Sequence, residues 1–167
     1  MTVTQLAPAL VDKAREVVEA NRKAGRRVAV AESCTGGLVA AAITEIPGAS
    51  EMFEAAFVTY SNAAKIGQLK VSEELVETFG AVSVAVAWAM ARGALLASEA
   101  DVAVAITGIA GPGGGSPSKP VGTVVFARAE RDADPARIVA DQKLFDESER
   151  SGVRFQAALC ALELLMP

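Results

Sequence analysis

Two short runs, "RVAVAES" at 27–33 and "DVAVAITG" at 101–108, hold four or five consecutive apolar residues and turn polar only at their ends. Such a run is too short for a buried helix and offers no polar face to solvent. It fits a strand covered on both sides, the situation of a central strand in a parallel sheet. A third run, "AAFVTYS" at 55–61, ends in the same polar fashion. A chain built around such strands needs helices on both faces of its sheet.

The intervening segments have helical character. Leu10, Val11, Ala14, Val17 and Val18 recur at helical spacing within Leu6 to Ala24, and Gly25 ends the pattern. A helix follows the first strand, with Thr35 or a neighbour as its cap, and runs through Ile46 to the Pro47-Gly48 stop. "NAAKIGQL" leaves the second strand as a short helix. Ser72-Glu73-Glu74-Leu75 opens another that Gly80 ends, and Ser83 caps a long one to Ser98. Gly108 to Pro120 holds five glycines and three prolines in 13 residues and excludes regular structure. "VGTVVFARAE" and "ARIVADQKLF" read as two strands joined at Asp132-Ala133-Asp134-Pro135, and a helix from Ser148 to Leu165 closes the chain. The expectation is an α/β fold, with a mixed five-stranded sheet between helices and residues 1–167 forming a single domain.

Charge and composition narrow the function classes. A net charge of −4 with scattered charges argues against nucleic acid as partner, since phosphate neutralisation needs a basic face. Lys23, Arg26 and Arg27 are too few and too local, and read as a solvated helix end. Cys34 and Cys160 lie too far apart to suggest a disulfide framework or zinc site. The amino terminus lacks the basic start and apolar run of a secretory signal. No stretch approaches the ~20 apolar residues of a membrane span. A cytoplasmic protein with no membrane partner is expected.

In open α/β sheets, ligands bind beyond the carboxyl ends of parallel strands. Three ends carry polar residues: Glu32-Ser33-Cys34-Thr35, Thr59-Tyr60-Ser61-Asn62 and Thr107-Gly108. Lys65 follows Asn62 by one helical turn and can fold back to the same edge. Ser33 sits at a strand-to-helix turn of the kind that presents nucleophiles, yet the chain has no histidine to serve as base. Lys65, Tyr60 or a carboxylate such as Glu32 must take the proton if Ser33 reacts. A lysine base has to be neutral, which requires a pKa lowered by roughly two or three units at about 1.4 kcal/mol each. The alternative is that Ser33 and Thr35 only cap the following helix. Cys34 is a rival nucleophile if the helix end lowers its pKa, although a turn is expected to aim only one of Ser33 and Cys34 at a pocket.

Other motifs carry less. Lys119 sits between Ser118 and Pro120, so the glycine-rich segment is no phosphate-binding P-loop. Ser116-Pro117-Ser118-Lys119 matches S-x-x-K, but its prolines deny the helix that motif needs. The N–H groups of Gly108, Ile109, Ala110, Gly111 and Gly113 to Gly115 remain as an anion cradle. Arg150 and Arg154, four apart on the last helix, share a face and suit a phosphate.

"AESCTGG", "FVTYSNAAK", "GAVS", "ITGIAGPGGGSPSKPVGTV" and "ERSGVR" occur in order across roughly residues 6 to 165. Together they resemble the C-terminal domain of the competence/damage-inducible protein family CinA, including its stand-alone amidase members. The resemblance implies a three-layer α/β/α fold and hydrolysis of the carboxamide of nicotinamide mononucleotide, a small-molecule nucleotide substrate. It implies Ser33 as nucleophile with Tyr60 and Lys65 as the other catalytic residues. Thr35, Gly36, Asn62, Thr107, Gly108, Gly111 and Arg150 are the expected substrate-binding positions, with no metal and no cofactor. The runner-up is a catalytically silent nucleotide-binding module with a regulatory role in competence or DNA damage. A homo-oligomeric state is compatible with either. Where relatives often carry Gly-Asp-Arg before the last helix, this chain has Ser148-Glu149-Arg150, and Trp88 stands on the long helix where a polar residue is usual.

Overall fold

The structure, a computed structural model, describes residue 3 and residues 5–167. Met1, Thr2 and Thr4, which the single-domain expectation includes, lie outside the described residues. Helix α1 (Pro8–Ala24) leads into β1 (Val28–Glu32), α2 (Leu38–Thr44), β2 (Phe53–Val58) and α3 (Asn62–Leu69). Helices α4 (Glu73–Phe79) and α5 (Val84–Leu96) then precede β3 (Val102–Gly108), β4 (Thr123–Glu130), β5 (Ala140–Leu144) and α6 (Arg150–Leu164). The five strands form one sheet in the order β2-β1-β3-β4-β5. β2, β1 and β3 are parallel, β4 runs antiparallel to β3, and β5 is antiparallel to β4 and so runs in the direction of the first three. This is the mixed five-stranded α/β/α architecture expected from the sequence.

Side-chain size decides which helices lie on which face. Val28, Val30, Val104, Ile106, Val124 and Phe126 pack toward α1, α2 and α6. The alternate positions, Ala29, Ala31, Ala103, Ala105, Ala127 and Ala129, face α5 and its neighbours. Strand side chains alternate between faces, so a Val-Ala-Val-Ala run makes one bulky face and one shallow face. On the shallow side α5 approaches closely. A Cβ added to Gly93 would stand 2.1 Å from the Leu69 carbonyl oxygen, so only glycine fits there.

Strand β1 leaves its carboxyl end toward α2 on the bulky face, and β2 leaves toward α3 on the shallow face. Adjacent strands that part this way open a crevice between their ends. Several boundaries differ from expectation by a few residues, and those of β5 and α2 differ most. Strand β5 begins at Ala140 rather than Ala136, because the preceding residues form an exposed turn beyond the edge of β4. Helix α2 starts at Leu38, ends at Thr44, and is not capped by Thr35. Its cap is Gly37 at φ 96°, a conformation that glycine adopts without strain. The Thr35 hydroxyl is buried without a hydrogen-bond partner. The helix's first donors are instead met by Glu32, whose two carboxylate oxygens accept from the Val39 and Ala40 N–H groups at 3.0 and 3.1 Å.

Candidate active site

Three parallel strand ends meet at one cleft of about 260 Å³. Ser33 and Cys34 reach it from β1, Tyr60, Asn62 and Lys65 from the β2–α3 turn, and Thr107, Gly108 and Ala110 from β3. Arg150 arrives from the start of α6, and Ala81 and Val82 form the wall before α5.

Lys65 is the centre of this arrangement. It lies in the first turns of α3, whose cap is Ser61, the Oγ accepting from the Ala64 N–H. The helix aims the lysine inward, and only 1% of its surface is exposed. Its Nζ stands 2.8 Å from Ser33 Oγ, 2.8 Å from the Thr59 carbonyl oxygen and 3.2 Å from that of Tyr60. Burial pushes its pKa below the ordinary value of 10.5, and no carboxylate pairs with it among the described residues. A neutral amine has two N–H donors and one lone pair. In the neutral form the two carbonyls take the hydrogens and the lone pair is left for the Ser33 hydroxyl, whereas in the charged form all three oxygens accept from Nζ. Glu32, weighed as an alternative base, is committed to the backbone of α2.

Ser33 is held by its backbone. Its N–H donates to the Ile106 carbonyl at 2.9 Å, and its own carbonyl accepts from the Gly36 N–H at 3.0 Å. Cys34 is also among the residues around the cleft, but it is buried and packs in the core cluster beside Gly108, the packing role that a cysteine commonly takes. Burial raises the Cys34 thiol to about 11, which keeps it protonated at neutral pH.

Tyr60 contributes in two ways. Its carbonyl faces Lys65, while its hydroxyl accepts from Arg150 Nη2 at 2.8 Å and is 62% exposed residue-wide at the rim. The hydroxyl is thus engaged with Arg150 and not with Ser33 or Lys65. Arg150 also donates to the Gly111 carbonyl at 2.7 Å. Thr107 Oγ1 donates to the Ala81 carbonyl at 2.9 Å and ties the wall to β3. Gly108 admits close packing, since a Cβ there would come within 2.8 Å of Val124 and 3.1 Å of Cys34 Sγ. Thr35, Gly36 and Gly111 stand behind the cleft and do not line it.

The glycine-rich segment is used for packing more than for cradling. The Ile109 N–H donates to the Thr123 carbonyl, and a Cβ at Gly111 or Gly115 would collide with Val121. Ser116 to Lys119 form a turn, not a helix, with the Ser116 N–H donating to the Lys119 carbonyl. Arg154 does not join Arg150 at a phosphate-facing surface. Its guanidinium donates to the Cys34 and Thr35 carbonyls, each at 3.0 Å. Sequence reasoning gave no role to Ala81 and Val82, whose side chains carry no chemistry. It also missed Glu32 as a helix anchor, although the residue lies seven positions before the N–H it meets. Among the described residues no cluster of three or more His, Cys, Asp or Glu could hold a metal ion, and no helix is long and apolar enough to cross a membrane.

The chain is similar in sequence and fold to known proteins over most of its length. The profile of the CinA C-terminal domain matches residues 11–167. A Pseudomonas putida protein named nicotinamide-nucleotide amidohydrolase PncC is 50% identical, the alignment covering 87% of this chain and 88% of that one. A putative competence-damage inducible protein of Symbiobacterium thermophilum is 53% identical across 84% of this chain, which spans only 34% of that longer protein. The crystal structure of the competence/damage inducible protein CihA from Agrobacterium tumefaciens superposes with a TM-score of 0.92 at 42% identity, over 98% of this chain and 97% of that one. A fold match of this extent, joined to a profile match across nearly the whole chain, leaves one assignment: the chain belongs to the CinA C-terminal domain family.

Proposed function

We propose that this chain is a nicotinamide-nucleotide amidohydrolase that converts the carboxamide of nicotinamide mononucleotide to a carboxylate with release of ammonia. The observation that carries the reading is the buried Ser33–Lys65 pair, 2.8 Å apart with no carboxylate to hold the lysine charged. The name of the Pseudomonas putida relative, matched along nearly its full length, supplies the substrate class.

In the proposed reaction Ser33 Oγ attacks the amide carbon while its proton passes to neutral Lys65 Nζ. The carbonyl oxygen becomes an oxyanion, held by backbone N–H groups of the turn after Ser33. The C–N bond then breaks as Lys65 returns the proton to the departing nitrogen, which leaves as ammonia. Water, deprotonated by Lys65, attacks the acyl-serine ester. Its collapse frees nicotinate mononucleotide and restores Ser33. The reaction consumes one water and needs no other co-reactant.

Asn62, Thr107, Gly108 and Arg150 line the cleft around the pair and are the proposed substrate contacts. The exposed Tyr60 ring offers a face for the cationic pyridinium, and the Arg150 guanidinium beside it offers charge for the phosphate. Residues 1–167 are taken as one catalytic domain, and a cytoplasmic location belongs to the same proposal. The test compares ammonia release from nicotinamide mononucleotide with release from free nicotinamide. The expected result is turnover of the nucleotide at least tenfold faster in kcat/KM, reflecting lost phosphate and ribose contacts of about 1.4 kcal/mol or more. Equal rates on both, or none on the nucleotide, contradict the reading.

A further inference from the structure

Strand β5 ends the sheet, and its outer edge meets no other strand among the described residues. Nearly all of it is exposed on both faces, including Leu144 at 64%. A bare edge of this kind is a template for another strand unless proline, a bulge or repelling charge blunts it. The run from Val139 to Phe145 reads VADQKLF, has no proline, and keeps one register against β4. Lys143 guards the edge against apolar strands, but Asp141 two positions away offers the opposite charge to a copy of the same strand.

The inner ladder fixes which backbone groups point outward. The Arg128 N–H donates to the Val139 carbonyl at 2.9 Å, and the Phe145 N–H donates to the Gly122 carbonyl at 2.9 Å. Between these ends the register is constant, with Val124 opposite Lys143 and Phe126 opposite Asp141. Hydrogen-bonded pairs alternate along an antiparallel ladder, so Val139, Asp141, Lys143 and Phe145 turn their N–H and C=O groups inward. Ala140, Gln142 and Leu144 turn theirs to the open edge.

A second copy of β5, related by a two-fold axis, bonds to this edge only where outward-turned residues face each other. Registers centred on residue 141, 142 or 143 meet that condition. Centring on Asp141 sets aspartate against aspartate, and centring on Lys143 sets lysine against lysine, both unfavourable. Centring on Gln142 sets Asp141 against Lys143 of the second copy, and symmetry repeats the pair. These pairs fall at non-hydrogen-bonded positions, where facing side chains are closest. The same register sets Ala140 against Leu144 on one face and Val139 against Phe145 on the other, apolar against apolar. Within one chain Lys143 Nζ stands 3.6 Å from Asp141, a long and exposed contact.

We propose that the chain forms a two-fold dimer through β5, in the register centred on Gln142, joining two five-stranded sheets into one. The partner at the open edge is thus a second copy of this chain. Strand β4 separates β5 from the three strand ends that form the cleft, so the inference stands apart from what the cleft does.

Sedimentation equilibrium of the whole chain over a wide micromolar range reads the dimer Kd. At the upper end the wild type has twice its chain mass of 17.1 kDa. Asp141→Lys alone and Lys143→Asp alone each set like charges across the axis and raise Kd at least about tenfold. Mixed in equal amounts, the two variants pair with each other, since one carries lysine at both positions and the other aspartate. The Kd of the mixture returns to within about threefold of wild type. Gln142→Pro removes an outward N–H and leaves the inner ladder intact, so it raises Kd at least about tenfold at an unchanged melting temperature. Should that variant unfold, the charge variants and their mixture decide. A wild type that stays monomeric throughout overturns the proposal. So does a dimer that none of the three substitutions weakens, or one weakened by the charge variants without recovery in the mixture.

Discussion

Ser33 and Lys65 are 32 positions apart in sequence and 2.8 Å apart in space, with the amine held in a cage of two backbone carbonyls and lowered in pKa by burial. The convergence was legible in the sequence, because two strand ends with polar residues must lie side by side in a parallel sheet. The cage was not, since backbone carbonyls leave no mark on residue types. Two predictions belong to this scale. Ser33→Ala abolishes turnover and keeps the fold, whereas Cys34→Ala keeps substantial activity because the Cys34 thiol, pushed up to about 11 by burial, supplies almost no thiolate at neutral pH. Measured rates that run the other way would transfer the nucleophile to Cys34. For Lys65 the base form is the neutral one, so the rate rises with pH through a pKa that burial has lowered from 10.5. Lys65→Arg loses kcat at least about 100-fold, since a guanidinium stays protonated, and Lys65→Met does the same with little change in KM. An arginine variant with near-normal kcat would make Lys65 an anion contact instead.

Elements were read from the sequence with uneven success, and the failures share a cause. Strand cores and the span of α3 follow from local pattern: apolar runs, and a Ser61 cap three residues before the N–H it accepts from. Helix α2 was misjudged because its N-terminal donors are met by a side chain on the preceding strand, a long-range device hidden in an unremarkable Glu32. Glu32→Ala therefore leaves one buried and one half-buried donor unpaired and lowers stability by roughly 2 kcal/mol, read as a shift in a urea or thermal unfolding curve. An unfolding midpoint unchanged from wild type would show that α2 does not depend on this carboxylate. At the other face, Gly93→Ala drives a methyl group to 2.1 Å from a backbone oxygen at the end of α3. Overpacking of this kind costs about 3 kcal/mol, and because α3 carries Lys65, the same variant loses activity as well as stability.

At the scale of the whole molecule, a valine-alanine alternation repeated along the central strands produces one thick and one thin helical layer. That helices cover both faces was legible in the sequence, as was the lack of any histidine to serve a triad or a zinc site, whereas the unequal depth of the two layers emerged from the structure. The closure of the site by α6 was not, since nothing in the pattern of a terminal amphipathic helix says that Arg150 and Arg154 reach back to the first and second strand ends. A serine–lysine mechanism assembled this way calls on no metal ion, so activity persists undiminished in EDTA. The most direct measurement is ammonia release from nicotinamide mononucleotide in EDTA, by the wild-type chain and by Ser33→Ala in parallel. The account predicts ammonia and nicotinate mononucleotide in equal amounts from the wild type and none from the variant. Release that needs an added divalent ion, or that survives the loss of Ser33, would contradict it.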